Sequence, residues 1–117
     1  MAAKNISKRA GDLIARTPAV TTRRPEAARE LRLLGVDRLA RGARVLEVGT
    51  GAGRLALGYA AAARSVLGID PDAGSIDRAR AHAKRLGLDH VRFRAIAAQE
   101  LVPGRERFDL AVLAWSL

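Results

Sequence analysis

A chain of 117 residues, 49% apolar and only 3% aromatic, fills one compact core and excludes a large multidomain enzyme. It has no cysteine, so a disulfide framework, a thiolate metal site and a cysteine nucleophile are excluded, and a reducing, cytoplasmic setting fits. The formal charge is +9, arginine supplies 18 of the 21 basic residues, and polyanions therefore enter as possible partners.

The charge is uneven. Residues 1–24 hold Lys4, Lys8, Arg9, Arg16, Arg23 and Arg24 against Asp12 alone. Such a start suits a transit peptide, a nucleic-acid arm or a soluble tail. No periodic apolar face or secretory core accompanies it, so the expectation is a flexible basic segment, with the main domain over 25–117. Pro25 suits the first turn of a helix, and Ala27, Ala28, Leu31 and Leu34 recur at helical spacing until Gly35 stops it. A loop through Arg41 and Gly42 then leads to the first strand, Ala43 to Val48, whose dense apolar run predicts burial on both faces.

Leu55 to Ala63 reads as an alanine-rich helix, too short to cross a bilayer, and no membrane partner is expected. Ser65 to Ile69 is the second strand, ending at Asp70. Asp72 caps a second helix through Ile76, Ala79, Ala83 and Leu86 to Gly87. Val91 to Ala95 is the third strand and Phe108 to Ala114 the fourth. Strands alternating with helices predict an α/β parallel sheet with right-handed crossovers and helices on both faces. Leu117 lies just beyond the fourth strand, which would stand as an exposed edge unless further chain covers it. The expectation is the front part of a longer domain or a surface completed by another chain.

The chemistry concentrates in Val45-Leu46-Glu47-Val48-Gly49-Thr50-Gly51-Ala52-Gly53, where the first strand turns into the first helix. Glycines reach the backbone angles such a turn demands and let a ligand lie against the main chain. Asp70 follows at the end of the second strand, where an acid can accept both hydroxyls of a ribose; the bland alternative is a cap on the turn at Pro71 and Asp72. Loop and acid together suggest an adenosine-type ligand. Glu47 disfavours a pyrophosphate, since two like unit charges at ~4 Å repel by about 4 kcal/mol at an effective dielectric near 20. It would attract an ammonium or sulfonium instead. The dinucleotide spacing also fails, because Arg54 stands where its third glycine belongs, and the P-loop lysine is absent.

The segments VLEVGTGAGRL (45 to 55), VLGIDPD (66 to 72), VRFRAIAAQEL (91 to 101) and FDLAVLAWSL (108 to 117) resemble, in order, the successive motifs of class I methyltransferases that use S-adenosylmethionine (SAM). The resemblance covers roughly residues 30 to 117. It implies a Rossmann-like sheet of order 3-2-1-4, incomplete relative to the seven-stranded family fold. It further implies that Glu47 lies near the methionine amino group and that Gly49, Thr50, Gly51 and Gly53 form the loop beneath the cofactor. Asp70 would hold the ribose hydroxyls, and Ile69 and Pro71 would flank the adenine. Many relatives have an adenine-binding aspartate where Ala97 stands here; the Ala98 N–H, with Gln99 or Glu100 as acceptor, would substitute. Ala114, Trp115 and Ser116 match the stretch that passes the methionine moiety and opens the acceptor pocket.

No catalytic base is indicated. Methyl transfer from a sulfonium is a direct displacement, so alignment alone can carry much of it. His82 and His90 read as surface residues, Trp115 as a core or pocket wall, and Arg54 as either solvated or close to the cofactor carboxylate. The nucleic-acid amine motif of the Asn-Pro-Pro-Tyr type is absent, and a small-molecule acceptor is expected. Two other readings remain at this point: a polyanion-binding module using residues 1–24, and a truncated, inactive methyltransferase fragment.

Overall fold

The computed structural model describes residues 19–22, 35–102, 104 and 106–114. Its strands are β1 (Ala19–Thr22), β2 (Arg44–Val48), β3 (Ser65–Ile69), β4 (Val91–Arg94) and β5 (Leu110–Ala114). Its helices are α1 (Val36–Ala40), α2 (Arg54–Tyr59) and α3 (Ala73–Arg85), with a 3-10 turn at Ala98–Glu100. All neighbouring strands pair in parallel, in the order β1-β5-β2-β3-β4. The four expected strands therefore lie in the expected 3-2-1-4 order.

Two elements depart from the sequence reading. Within the segment expected to be flexible, Ala19–Thr22 forms a strand registered Ala19 to Ala111 and Thr22 to Ala114, so the outer edge of β5 is covered rather than exposed. Three consecutive β-branched residues, Val20, Thr21 and Thr22, suit that extended backbone. Gly35, read as a helix stop, instead precedes the five-residue α1, adopting φ 110 at its N-cap. The helix expected over Pro25 to Leu34 lies outside the described residues.

The sheet separates two cores. On one face Val45, Val66, Phe93 and Val112 meet Val36 and Ala40 of α1, Ala56 and Tyr59 of α2, and Ile76, Ala79 and Ala83 of α3. Alanines at the contact let the helices approach the sheet closely. On the other face Leu46, Val48, Leu67 and Ile69 pack with Leu101, Ile96, Phe108 and Leu113. Among the described residues, then, the three α-helices share one face, and the 3-10 segment with its flanks covers the other.

Polar contacts set the ends. Asp109 accepts from the Arg44 backbone N–H at 2.9 Å and from its Nε and Nη2 at 3.0 Å each, which ties the start of β5 to the start of β2. The guanidinium holds the Asp109 carboxyl down at about 2. Asp72 caps α3 as expected, accepting from the Ser75 N–H at 3.1 Å. At the opposite sheet edge, Arg80 donates to the Phe93 carbonyl at 2.9 Å, covering a main-chain acceptor that β4 would otherwise present to a further strand.

Candidate functional site

At the carboxyl end of β2 the chain makes a tight reversal into α2. Gly49, Gly51 and Gly53 all have positive φ, at 76, 55 and 80 degrees. Both the Gly49 and Thr50 N–H groups donate to the Ile69 carbonyl, at 2.9 and 3.0 Å, so the loop is strapped to the end of β3. A Cβ on Gly49 would lie 2.1 Å from the Ala114 carbonyl oxygen, and one on Gly53 2.9 Å from the Phe93 ring. Gly49 and Gly53 are thus required by the protein's own packing.

Asp70 meets this loop from its outer side. One carboxylate oxygen accepts from the Gly51 N–H at 3.0 Å and the other from the Asp72 N–H at 2.9 Å. Both the turn-capping role and the placement beside the loop are therefore real. The side chain is only half-buried, and a carboxylate with two acceptors per oxygen retains capacity for hydroxyl donors.

Glu47 meets the loop from within. It is 0% exposed. Its carboxyl accepts from the Thr50 hydroxyl at 2.5 Å and the Tyr59 hydroxyl at 3.1 Å, with a further bond from the Ala56 backbone N–H. Burial pushes its pKa up to about 7, against the opposing effect of these donors. The sequence expectation set Glu47 in the wall of the cleft with Asp70. Instead Glu47 is enclosed beneath the loop by the Thr50 and Tyr59 hydroxyls, and of the two carboxyls only Asp70 is open to a ligand. A carboxyl partly neutral near pH 7 also repels a pyrophosphate less than the full charge assumed above.

Pairing in the sheet places Gly68 beside Glu47. A Cβ at Gly68 would lie 2.7 Å from both the Thr50 hydroxyl and the Phe93 ring. Gly68 was not singled out from the sequence, although a glycine inside a strand is itself a sign of close approach. It clears the space in which Thr50 reaches Glu47.

The residues expected at the adenine lie on the 3-10 turn. Ala98 is half-buried and Gln99 exposed, whereas the Glu100 carboxylate accepts from the Ala97 N–H at 2.9 Å. One Glu100 oxygen is engaged in the turn, so Gln99 and the other Glu100 oxygen are the side-chain acceptors beside Ala98. Pro71 is exposed and Ile69 buried in the second core. His90 lies 2.6 Å from the Ala60 carbonyl, tying β4 to the end of α2, and takes no part in the cleft. His82 is in the last turn of α3, and Arg54 is exposed. Trp115 and Ser116 lie outside the described residues, as do residues 1–18. A shallow groove of about 370 Å³ between α3 and β4, lined by Arg80, Lys84 and Arg92 among others, opens at the sheet edge away from the glycine loop.

The parallel sheet, with β5, β2, β3 and β4 side by side, agrees with the comparisons. Residues 45–117 match the model of a methyltransferase domain. The chain belongs to this methyltransferase family. It is 41% identical over 71 residues, 61% of its length, to a ubiquinone biosynthesis O-methyltransferase of Rhizobium etli. Those residues span 28% of that relative. A SAM-dependent methyltransferase from Thiobacillus denitrificans in complex with S-adenosylhomocysteine is similar at 31% identity and TM-score 0.61, covering 78% of this chain and 36% of that one. The [4+2]-cyclase SpnF is similar at 30% identity and TM-score 0.64, covering 77% and 35%. The methyltransferase domain described here therefore corresponds to about a third of the chains it resembles.

Proposed function

We propose that this methyltransferase domain binds SAM and is the cofactor-holding part of an enzyme that transfers its methyl group to a small-molecule acceptor. The observation that carries the reading is Asp70: a half-buried carboxylate at the end of β3, fixed by two main-chain N–H groups beside the loop 49–53. This arrangement fits a ribose. The carboxylate can accept from both hydroxyls, while the Ala98 N–H, opening the 3-10 turn with no partner inside it, can donate to an adenine nitrogen. Gln99 supplies a nearby acceptor for the adenine amino group. Gly49, Thr50, Gly51 and Gly53 bring the main chain under the nucleoside and methionine, Pro71 covers the adenine edge, and Glu47 acts from beneath by holding Thr50.

When bound, SAM supplies an electrophilic methyl group on a sulfonium. The described residues orient it; none is positioned as a base, and proton removal from the acceptor falls to groups beyond them. The relationship to a ubiquinone biosynthesis O-methyltransferase favours transfer to an oxygen of the acceptor. Because SpnF is named for a cyclisation, product analysis rather than cofactor binding has to establish the transfer.

Calorimetric titration with S-adenosylhomocysteine tests the reading. The 117-residue chain is expected to bind it, and Asp70→Ala to weaken binding by about 3 kcal/mol, roughly 100-fold, through loss of charge-assisted bonds to two hydroxyls. Asp70→Asn, which keeps an acceptor, should lose less. Equal affinity in all three proteins would move the ribose away from Asp70.

A further inference from the structure

Tyr59 is buried in α2, two turns from the loop, and the methyl-transfer reading gives it no role. Its hydroxyl nevertheless donates to one oxygen of Glu47 while Thr50 donates to the other. We propose that Tyr59 is a positioning residue for the cofactor loop: by fixing the Glu47 carboxyl from α2, it fixes where Thr50, and hence the Gly49–Gly53 main chain, comes to rest. As a statement about cofactor binding, this rests on the SAM reading above.

Among the described residues the geometry leaves Glu47 no other side-chain anchor. Its neighbours across the sheet are Gly68 on β3 and Val112 on β5, neither of which offers a polar side chain. From α2 it meets the Ala56 N–H and Tyr59, and from the loop Thr50; among the described residues no cation pairs with it. Among the described residues Tyr59 is the one other titratable group that faces it, and burial together with the Glu47 charge keeps the phenol protonated, well above its usual range. An ionised Glu47 therefore accepts from both hydroxyls at once. A protonated Glu47 must donate to one of them, and that hydroxyl gives up its own bond to the carboxyl. The state of Glu47 is in this way transmitted to Thr50, whose N–H also straps the loop to Ile69.

The test follows the free chain by NMR across pH, reading the Glu47 side-chain carboxyl carbon and the Thr50 amide, with calorimetric titration of S-adenosylhomocysteine over the same range. In the natural sequence both signals should share one midpoint, and affinity should fall on its acid side. Tyr59→Phe removes a donor that favours the ionised form, so both signals and the affinity profile should move upward by about one pH unit. Glu47→Gln should abolish the transition at Thr50. Tyr59 is the only tyrosine of the chain, so uniform incorporation of 3-fluorotyrosine gives a fold-preserving second variant. Its more acidic phenol is a stronger donor, and the midpoint should move downward. A Thr50 amide that ignores Glu47, or a midpoint unmoved by either change at Tyr59, overturns the proposal. If the midpoints couple and shift but S-adenosylhomocysteine fails to bind at any pH, the ligand reading fails while the positioning link stands.

Discussion

Gly49→Ala should cost this domain about 2–5 kcal/mol in stability, enough at the upper end to unfold a marginal protein. Two effects add. At φ 76 a side chain carries the left-handed penalty of roughly 1–2 kcal/mol. The new methyl would also stand 2.1 Å from the Ala114 carbonyl oxygen, a main-chain atom at the end of β5 that moves only if the β2 to β5 pairing moves with it; overpacking of this kind costs roughly 1–3 kcal/mol. Gly87→Ala is the control, since φ there is 67 but a Cβ would meet nothing within 4 Å. Urea unfolding of the two variants separates backbone strain from collision. Equal losses would mean that the approach to Ala114 contributes nothing.

Stability should also fall as pH rises from about 4.5 to above 7, by about 3 kcal/mol in all. Glu47 has an ordinary value of 4.5 and is raised to about 7 by burial, so the folded chain binds the proton more tightly than the unfolded one. The resulting stabilisation is fully present below 4.5 and is lost as pH rises through about 7. Asp109 acts in the opposite sense and a different window: lowered from 3.8 to about 2, it contributes above its ordinary value and loses that contribution as pH falls through about 2. The two groups are therefore separable. Urea unfolding at pH 5 and pH 8, in the natural sequence and in Glu47→Gln, is the check; the difference between the two pH values should shrink in the variant. A slope that survives the substitution would assign it to other groups.

The sheet was legible because buried parallel strands must be short, dense apolar runs. Ser65–Ile69 matched its boundaries and Asp72 its capping role, since an acid before a helical pattern has few other uses. What escaped was direction and brevity. Spacing alone located Glu47, but not the way it points. Alternation would have supplied that: Glu47 shares a face with Val45, and the helix that follows the loop must pack on that face, so its carboxyl is enclosed. Ala19–Thr22 was missed because four residues after a proline carry little pattern, and their threonines read equally well as breaks in a helix. Gly68 was missed because a small residue in an apolar run resembles filler until the Thr50 hydroxyl is seen beside it.

The most direct test of where the nucleoside sits is a titration of the labelled chain with S-adenosylhomocysteine, followed amide by amide. Saturable shifts at Gly49 to Gly53, at Asp70 and at Ala98 and Gln99 are expected, with the α3 to β4 groove around Lys84 and Arg92 unaffected. A folded chain whose amides do not respond, or respond only along that groove, would contradict the assignment.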